Sequence, residues 1–272
     1  MSGLRPLIPH QRAIGGVGVG FAGGRVLSLD QRAPMRALFP VPEPGDPPLA
    51  ALVNTAGGLV GGDAVTQKIE IGDGAATVTT AAAEKVYRSL GPEAQVETRL
   101  AIGPGALLEW LPQETILFDG ARLDRRLAIA LAPGARLLAA EMLVFGRAAR
   151  GETFRRGLLR ERWHVACEGR PLWIDALMLD AELQDRFRSP FALAGAQALG
   201  TLLVACAEPA RVVADLREGD PSAAATVPRP GLALVRWLGG AGTVRASVAA
   251  AIRAVRARAF GLAPRLPRLW AC

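Results

Sequence analysis

Ile71-Gly72-Asp73-Gly74-Ala75, Ile102-Gly103-Pro104-Gly105-Ala106 and Leu131-Ala132-Pro133-Gly134-Ala135 are three versions of one pattern. Each closes a run of two-fold alternation, the mark of a strand with one buried face. Before the first, Val65, Gln67, Ile69 and Ile71 alternate with Ala64, Thr66, Lys68 and Glu70. Before the second, Val96, Thr98, Leu100 and Ile102 alternate with Gln95, Glu97, Arg99 and Ala101; before the third come Leu127, Ile129 and Leu131. Each turn then leads into another apolar run, at 76–80, 107–110 and 136–140. The three glycines 74, 105 and 134 are 31 and 29 residues apart. Strand, tight glycine turn and strand at a spacing of about 30 residues is what stacked β coils, or successive hairpins of one sheet system, produce.

Outward from this centre, a weaker fourth copy joins 163–165 to 172–174 through Glu168-Gly169-Arg170-Pro171. Residues 40–48 carry five prolines, which remove donors and fix φ, and so read as a surface loop. Helix is expected late. Over 243–260, Val244, Val248, Ile252, Val255 and Ala259 share a face, with Arg245, Arg253 and Arg256 mainly elsewhere, Thr243 as cap and Gly261 as stop. That helix is expected to pack on a sheet. A shorter helix is expected at 209–218, ended by Gly219, and a strand at 231–238. No linker divides the chain, so one domain over residues 1–272 is expected. The expected fold class is mainly β, in stacked coil-like (β-helix-like) sheets with about two helices toward the C-terminus.

Half of the 272 residues are apolar, which supports a sizeable core and excludes disorder as the main state. The longest apolar stretch, 198–207, has ten residues where a membrane-spanning helix needs about 20, and Pro9, His10, Gln11 and Arg12 interrupt the start of the chain. A cytoplasmic protein is expected. Cys167, Cys206 and Cys272 are too few for a disulfide framework and read as free thiols. The net charge of +7 is almost wholly arginine, Lys68 and Lys85 being the only lysines. The arginines are dispersed and only one tyrosine is present, a poor match to a single-strand nucleic-acid binder.

The stretch Asn54-Thr55-Ala56-Gly57-Gly58-Leu59-Val60-Gly61-Gly62-Asp63 admits two readings. It is an anion-binding nest for a phosphorylated ligand, or a turn whose glycines let another backbone approach closely. No Lys-Ser/Thr pair and no helix follow it, unlike a phosphate-binding loop. His10 and His164 are the only histidines, and no serine sits in a nucleophile elbow. With 163–168 read as a strand, His164 and Cys167 point to opposite faces and do not chelate one ion, whereas His164 and Glu168 share a face. Glu109, Glu114, Asp119, Asp124, Glu141 and Glu152 are placed near turns or strand ends.

Five stretches together closely resemble the UreD/UreH family of urease accessory proteins. They are 54–63; Thr79-Thr80 with Lys85-Val86-Tyr87-Arg88-Ser89; 108–118, which includes Trp110; Glu141 with Phe145-Gly146-Arg147-Ala148-Ala149-Arg150-Gly151-Glu152; and Pro267-Arg268-Leu269-Trp270. Ala81 and Glu84 depart from the residues more usual in that family. The resemblance implies a mainly β protein of coil-like sheets that catalyses nothing itself. It implies a maturation scaffold that docks on apo-urease, binds a UreF-type partner and, through it, a UreG-type GTPase, with no nucleic-acid or membrane partner. It also implies an internal polar passage for nickel, handled transiently and with no cofactor held stably. On that basis Glu109, Glu114, Asp119, Glu141 and Glu152 are expected to line the passage, since lone carboxylates hold nickel weakly. Gly57, Gly58, Gly61, Gly62, Asp63, Lys85, Tyr87, Arg88, Trp110 and Arg147 are expected at docking surfaces or in structural motifs. The alternative for Glu141 and Glu152 is pairing with Arg147 or Arg150. The alternative function is an enzyme or ligand-binding protein that uses the Gly57 to Asp63 turn for a phosphorylated ligand.

Overall fold

A computed structural model describes residues 12–183 and 187–271. The chain is mainly β. Its first half runs β1 (Ile14–Ala22), β2 (Arg25–Arg32), β3 (Met35–Leu38), β4 (Leu49–Asn54), β5 (Ala64–Ile71), β6 (Ala75–Thr80), β7 (Glu84–Val86), β8 (Ala94–Ile102), β9 (Leu107–Leu111) and β10 (Thr115–Leu117). The second half runs β11 (Arg122–Leu131), β12 (Arg136–Phe145), β13 (Arg156–Cys167), β14 (Arg170–Glu182), β15 (Ala198–Ala205), α1 (Pro209–Gly219), β16 (Ala224–Arg229), β17 (Leu232–Gly239) and α2 (Ala241–Phe260).

Two sheets form. The first has the order β14-β13-β11-β8-β5-β1-β2, and the second β16-β17-β15-β12-β9-β6-β4-β3, with β10 between β12 and β7. The three glycine turns all carry the chain from the first sheet to the second: β5 to β6, β8 to β9 and β11 to β12. Gly74, Gly105 and Gly134 take φ of +73°, +67° and +71°, a region glycine enters without strain. Successive turns bond to one another, Gly103 N to Ile71 O at 2.7 Å and Ala132 N to Ile102 O at 2.9 Å. Strands β1, β5, β8, β11 and β13 are parallel, and the inward residues Val19, Ile69, Leu100, Ile129 and Val165 form one buried row across them.

The fourth unit differs. β13 and β14 stay in one sheet as an antiparallel hairpin, turned by Glu168 and Gly169 with φ of +49° and +75°. Glu168 therefore lies in the turn, beyond the end of β13, and the expected shared strand face of His164 and Glu168 does not form. Strands β1 to β4 carry no long run of alternation, because glycines occupy the outward positions 16, 18 and 20 of β1 while β2 is exposed along nearly its whole length.

One core lies between the sheets, and a second lies between the second sheet and the helices. Val244, Val248, Ile252 and Val255 of α2 enter that second core, as the helical spacing predicts. Two details depart from expectation. The helix begins at Ala241 with Gly240 as its N-cap and no side-chain cap, so Thr243 does not cap it. Arg256 lies on the buried side, 2% exposed, because acidic groups await it there. Gly261 ends the helix at φ +66° as expected. Cys167 and Cys206 are free thiols; Cys272, His10 and the rest of the first eleven residues lie outside the described residues. Among the described residues no helix is long and apolar enough to cross a membrane.

Candidate functional site

The inward row of β11 reads Leu123, Arg125, Leu127, Ile129; that of β12 reads Leu137, Ala139, Glu141, Leu143; that of β13 reads Leu159, Glu161, Trp163, Val165. One charged residue interrupts each apolar series, and the three interruptions meet. Arg125 Nη2 lies 2.7 Å from Glu141 Oε1 and 2.6 Å from Glu161 Oε2, while Arg125 Nη1 donates to Thr115 Oγ1 at 2.8 Å. Trp163 Nε1 lies 3.0 Å from both Glu141 Oε2 and Glu161 Oε1.

Two buried carboxylates thus share one guanidinium. Burial pushes Glu141 well above the ordinary carboxylate range, against the pull of Arg125 and with repulsion from Glu161. Burial also opposes ionisation of Glu161, but Arg125 and the hydrogen bonds it accepts hold it below the ordinary value. The two carboxyls titrate as a coupled pair, in which Glu141 is the one pushed toward its protonated form. The pair forms part of the wall of a cavity of about 490 Å³ between the sheets, whose rim carries an ion pair between Asp175 and Arg236.

Glu84 extends this polar seam. β10 pairs Thr115 with Glu84 of β7 on one side and with Leu143 of β12 on the other, so Glu84, Thr115 and Glu141 lie on one face of the second sheet. Asn54 Nδ2 donates to both Glu84 oxygens, at 3.2 and 3.3 Å. Burial raises its pKa from 4.5 to about 7, against the hydrogen bond from Asn54. Because the folded-state value is raised, folding favours the protonated acid, and this contribution fades as pH climbs from about 4.5 to about 7. We expect Glu84→Gln to remove that loss, so that urea denaturation at about pH 5 and pH 7.5 shows the wild type losing roughly 2 kcal/mol more than the variant. Equal losses would refute the assignment.

The other sequence candidates lie elsewhere. Glu109, in the middle of β9 rather than at a strand end, is 0% exposed; its Oε2 accepts from Arg256 Nη1 at 2.8 Å and from Thr77 Oγ1 at 2.6 Å. Burial raises its pKa, and Arg256 opposes the rise. Asp46, in the proline-rich loop, takes Arg256 Nη2 at 2.6 Å and Arg265 Nε at 2.8 Å. Glu114 pairs with Arg245, whose guanidinium stands 5.2 Å from the ring centroid of the buried Trp270. Trp110 is buried in the core between the sheets.

Glu152 and Asp119 stand together at one end of the sandwich. Arg147 binds Glu152 and covers Phe118 at 4.4 Å, and Phe118 meets Tyr87 edge-on at 5.0 Å. The hydrogen bond from Arg147 holds Glu152 below the ordinary range. Partial burial opposes ionisation of Asp119, but the amides of Arg155 and Arg156 and the Arg155 guanidinium outweigh it.

The glycine-rich turn belongs to this end and serves close packing. A Cβ at Gly58 would lie 2.4 Å from the Tyr87 ring, and one at Gly61 would lie 1.9 Å from Ser89 Oγ. The turn's amides are engaged internally: Leu59 N with Lys85 O, Gly62 N with Glu93 O, and Val60 N with the Asp63 carboxylate. Asp63 also accepts from Ala13 N at 2.8 Å. Those donors are not offered to a phosphate.

Sequence reasoning missed Arg125 and Glu161 as site residues, noted Glu84 only as a departure, and left Asp46 unremarked. The single charged residue within an inward apolar series was the readable signal for the first two. Among the described residues no group of three or more His, Cys, Asp or Glu is placed to hold a metal ion.

Fold and site define a β scaffold with an ion-paired polar interior, in which the glycine motif builds structure. The sequence model of the family described as UreD urease accessory protein matches residues 17–271. The urease accessory protein UreD of Granulibacter bethesdensis is 46% identical over 237 residues, covering 86% of this chain and 99% of that protein. Its counterpart in Magnetococcus marinus is 44% identical over 256 residues, covering 90% and 88%. A UreD of Rhodopseudomonas palustris is 42% identical over 247 residues, covering 89% and 86%. The chain belongs to the UreD family of urease accessory proteins.

Proposed function

We propose that this chain is a urease maturation scaffold. It docks on apo-urease, binds a UreF-type protein and, through it, a UreG-type GTPase, and passes nickel through its interior toward the urease site. The observation that carries the interior route is the carboxyl pair Glu141 and Glu161 at the wall of the 490 Å³ cavity between the sheets. Oxygen donors already engaged by an arginine and a tryptophan hold nickel less tightly than thiolates or imidazoles, so the ion is cargo that leaves as it came. Of the five carboxylates first expected on the route, geometry favours Glu141, with Glu161 and Glu84 as neighbours along the seam. Glu109, Glu114, Asp119 and Glu152 are each engaged by an arginine away from that seam. The same reading takes the parallel stacks as coils of a β-helix-like scaffold in one UreD-like domain over 1–272. The in-register rows across β5, β8, β11 and β13 support it. The scaffold acts in the cytoplasm, apart from membranes and nucleic acid.

The test is urease activity and bound nickel in cells that express the cognate urease and its other accessory proteins, with and without this chain. Both are expected to fall to background without it. Glutamine or asparagine replacements at Glu84, Glu109, Glu114, Asp119, Glu141, Glu152 and Glu161, with folding checked separately, then locate the route. Losses are expected at Glu141 and Glu161. Normal nickel loading in all seven variants overturns an interior carboxylate route, and normal loading without the chain overturns the scaffold role.

A further inference from the structure

We propose that Arg125 is the release element of the interior carboxylate pair: its guanidinium is a resident cation that nickel displaces from Glu141 and Glu161 and that reclaims them when the ion moves on. This rests on the interior route proposed above and adds what keeps the ion from staying.

Among the described residues two guanidiniums each serve two acids, and they do so differently. Arg256 gives one terminal nitrogen to Glu109 and the other to Asp46, at 2.8 and 2.6 Å, as a clamp does. Arg125 brings both acids to a single nitrogen: Nη2 lies 2.7 Å from Glu141 Oε1 and 2.6 Å from Glu161 Oε2. That nitrogen stands where one small cation between two carboxylates would stand. The seat does not depend on the arginine alone, because Trp163 Nε1 lies 3.0 Å from the other oxygen of each acid and holds both carboxyl groups in place. The Thr115 hydroxyl, 2.8 Å from Arg125 Nη1, adds a third oxygen beside them.

The two cations reach the acids from different sides. Glu141, Glu161 and Trp163 line the 490 Å³ cavity, whereas Arg125 and Thr115 do not. An ion in the cavity therefore meets the carboxylates directly, while the guanidinium stands behind them, bonded to Thr115, whose register partner in β7 is Glu84. Withdrawal toward Thr115 and Glu84 leaves the displaced charge beside an acid rather than stranded in the interior. A dication and a guanidinium at contact with the same oxygens repel each other, several-fold more strongly in a buried setting than in water. Arg125 thus competes with nickel for its own ligands, and the pair gives up an ion that it would keep were the arginine absent. Removing a residue that only holds the fold leaves ion binding unchanged or weaker, whereas removing a competitor strengthens it.

The experiment titrates Ni²⁺ calorimetrically into the full chain, in complex with its UreF-type partner, at slightly alkaline pH. Arg125→Met is expected to bind about ten-fold more tightly than wild type, or better. Arg125→Lys keeps a cation at the site and is expected to stay within about three-fold of wild type. Arg125→Met/Glu141→Gln/Glu161→Gln and Arg256→Met are expected to show no gain. If Arg125→Met does not fold unaided, its refolding yield with and without Ni²⁺ reads the same exchange, since an ion that replaces the guanidinium rescues the single variant and adds nothing to the triple one. In cells, Arg125→Met is expected to retain nickel on this chain and to leave urease underloaded. No gain in affinity and no rescue overturns the proposal, as does an equal gain in Arg125→Lys, the triple variant or Arg256→Met. Normal urease loading by Arg125→Met despite tighter binding overturns the release role. Normal loading by both Glu141→Gln and Glu161→Gln overturns the interior route itself, and is read on different variants by a different measurement.

Discussion

Arg125→Met is expected to destabilise the protein by about 3–5 kcal/mol at neutral pH, the range for removing one partner of a buried ion pair. The reason is the arrangement on either side of it. Glu141 and Glu161 are buried, and Arg125 is the cation that bonds to both. Methionine fills much of the volume but leaves Glu161 to ionise in a low-dielectric interior or to bind a proton at neutral pH. The contribution of Glu161 to the pH dependence should therefore reverse. In the wild type the folded-state pKa of Glu161 is depressed, so its stabilising contribution is present above the ordinary carboxylate range and is lost as pH falls through its folded value. Without Arg125, burial raises that pKa, and the variant gains stability on acidification. Chemical denaturation at acidic and slightly alkaline pH reads both effects. Arg125→Met/Glu161→Gln should recover a large part of the loss, since no charge then remains unpaired. A fall below about 1 kcal/mol for the single variant would place the carboxylates in a far more polar setting than the geometry describes.

Arg256→Met is expected to have a comparable effect, about 3–5 kcal/mol, for the same physical reason at a different place. Glu109 is fully buried and then retains only the Thr77 hydroxyl, while Asp46 retains Arg265. Arg256 also donates to Ala263 O at 3.0 Å, so one side chain fastens α2, the strand β9, the proline-rich loop and the segment after the helix. The loss should be accompanied by faster proteolytic cleavage of that segment, which limited proteolysis follows directly. Glu109→Gln separates fastening from transport. If Glu109 only anchors Arg256, this variant loses stability and loads urease with nickel normally once folded. Reduced loading at unchanged stability would return Glu109 to the route.

The strands were legible as two-fold alternation over 64–71, 95–102 and 127–131, within β5, β8 and β11, and Gly74, Gly105 and Gly134 as tight turns, whose positive φ the structure supplies. The α2 stripe was legible because its apolar residues recur at helical spacing. The family motifs were legible as residues, and the structure reveals why several of them are glycine: Tyr87 and Ser89 occupy the space a side chain would need at 58 and 61. The carboxylates were legible as candidates but not as partners. Glu109 looked equivalent to Glu114 and Asp119 on the page, yet one is buried against Arg256, one pairs with Arg245 and one binds Arg155.

By itself the sequence determined the β class, the two late helices, the glycine turns and membership of the urease accessory family. The first three rest on local rules, in which a residue's neighbours in the chain set its backbone angles and its buried face, and the last on the resemblance of five motif stretches in family order. Only the tertiary structure decided that the glycine turns cross between two sheets while the last one closes a hairpin, and which arginine answers which acid. Glu109 and Arg256 are 147 residues apart, and Arg125 and Glu161 are 36 apart. Such pairs leave no period in the chain, because an ion pair is set by distance in space and by the water the surrounding sheets exclude.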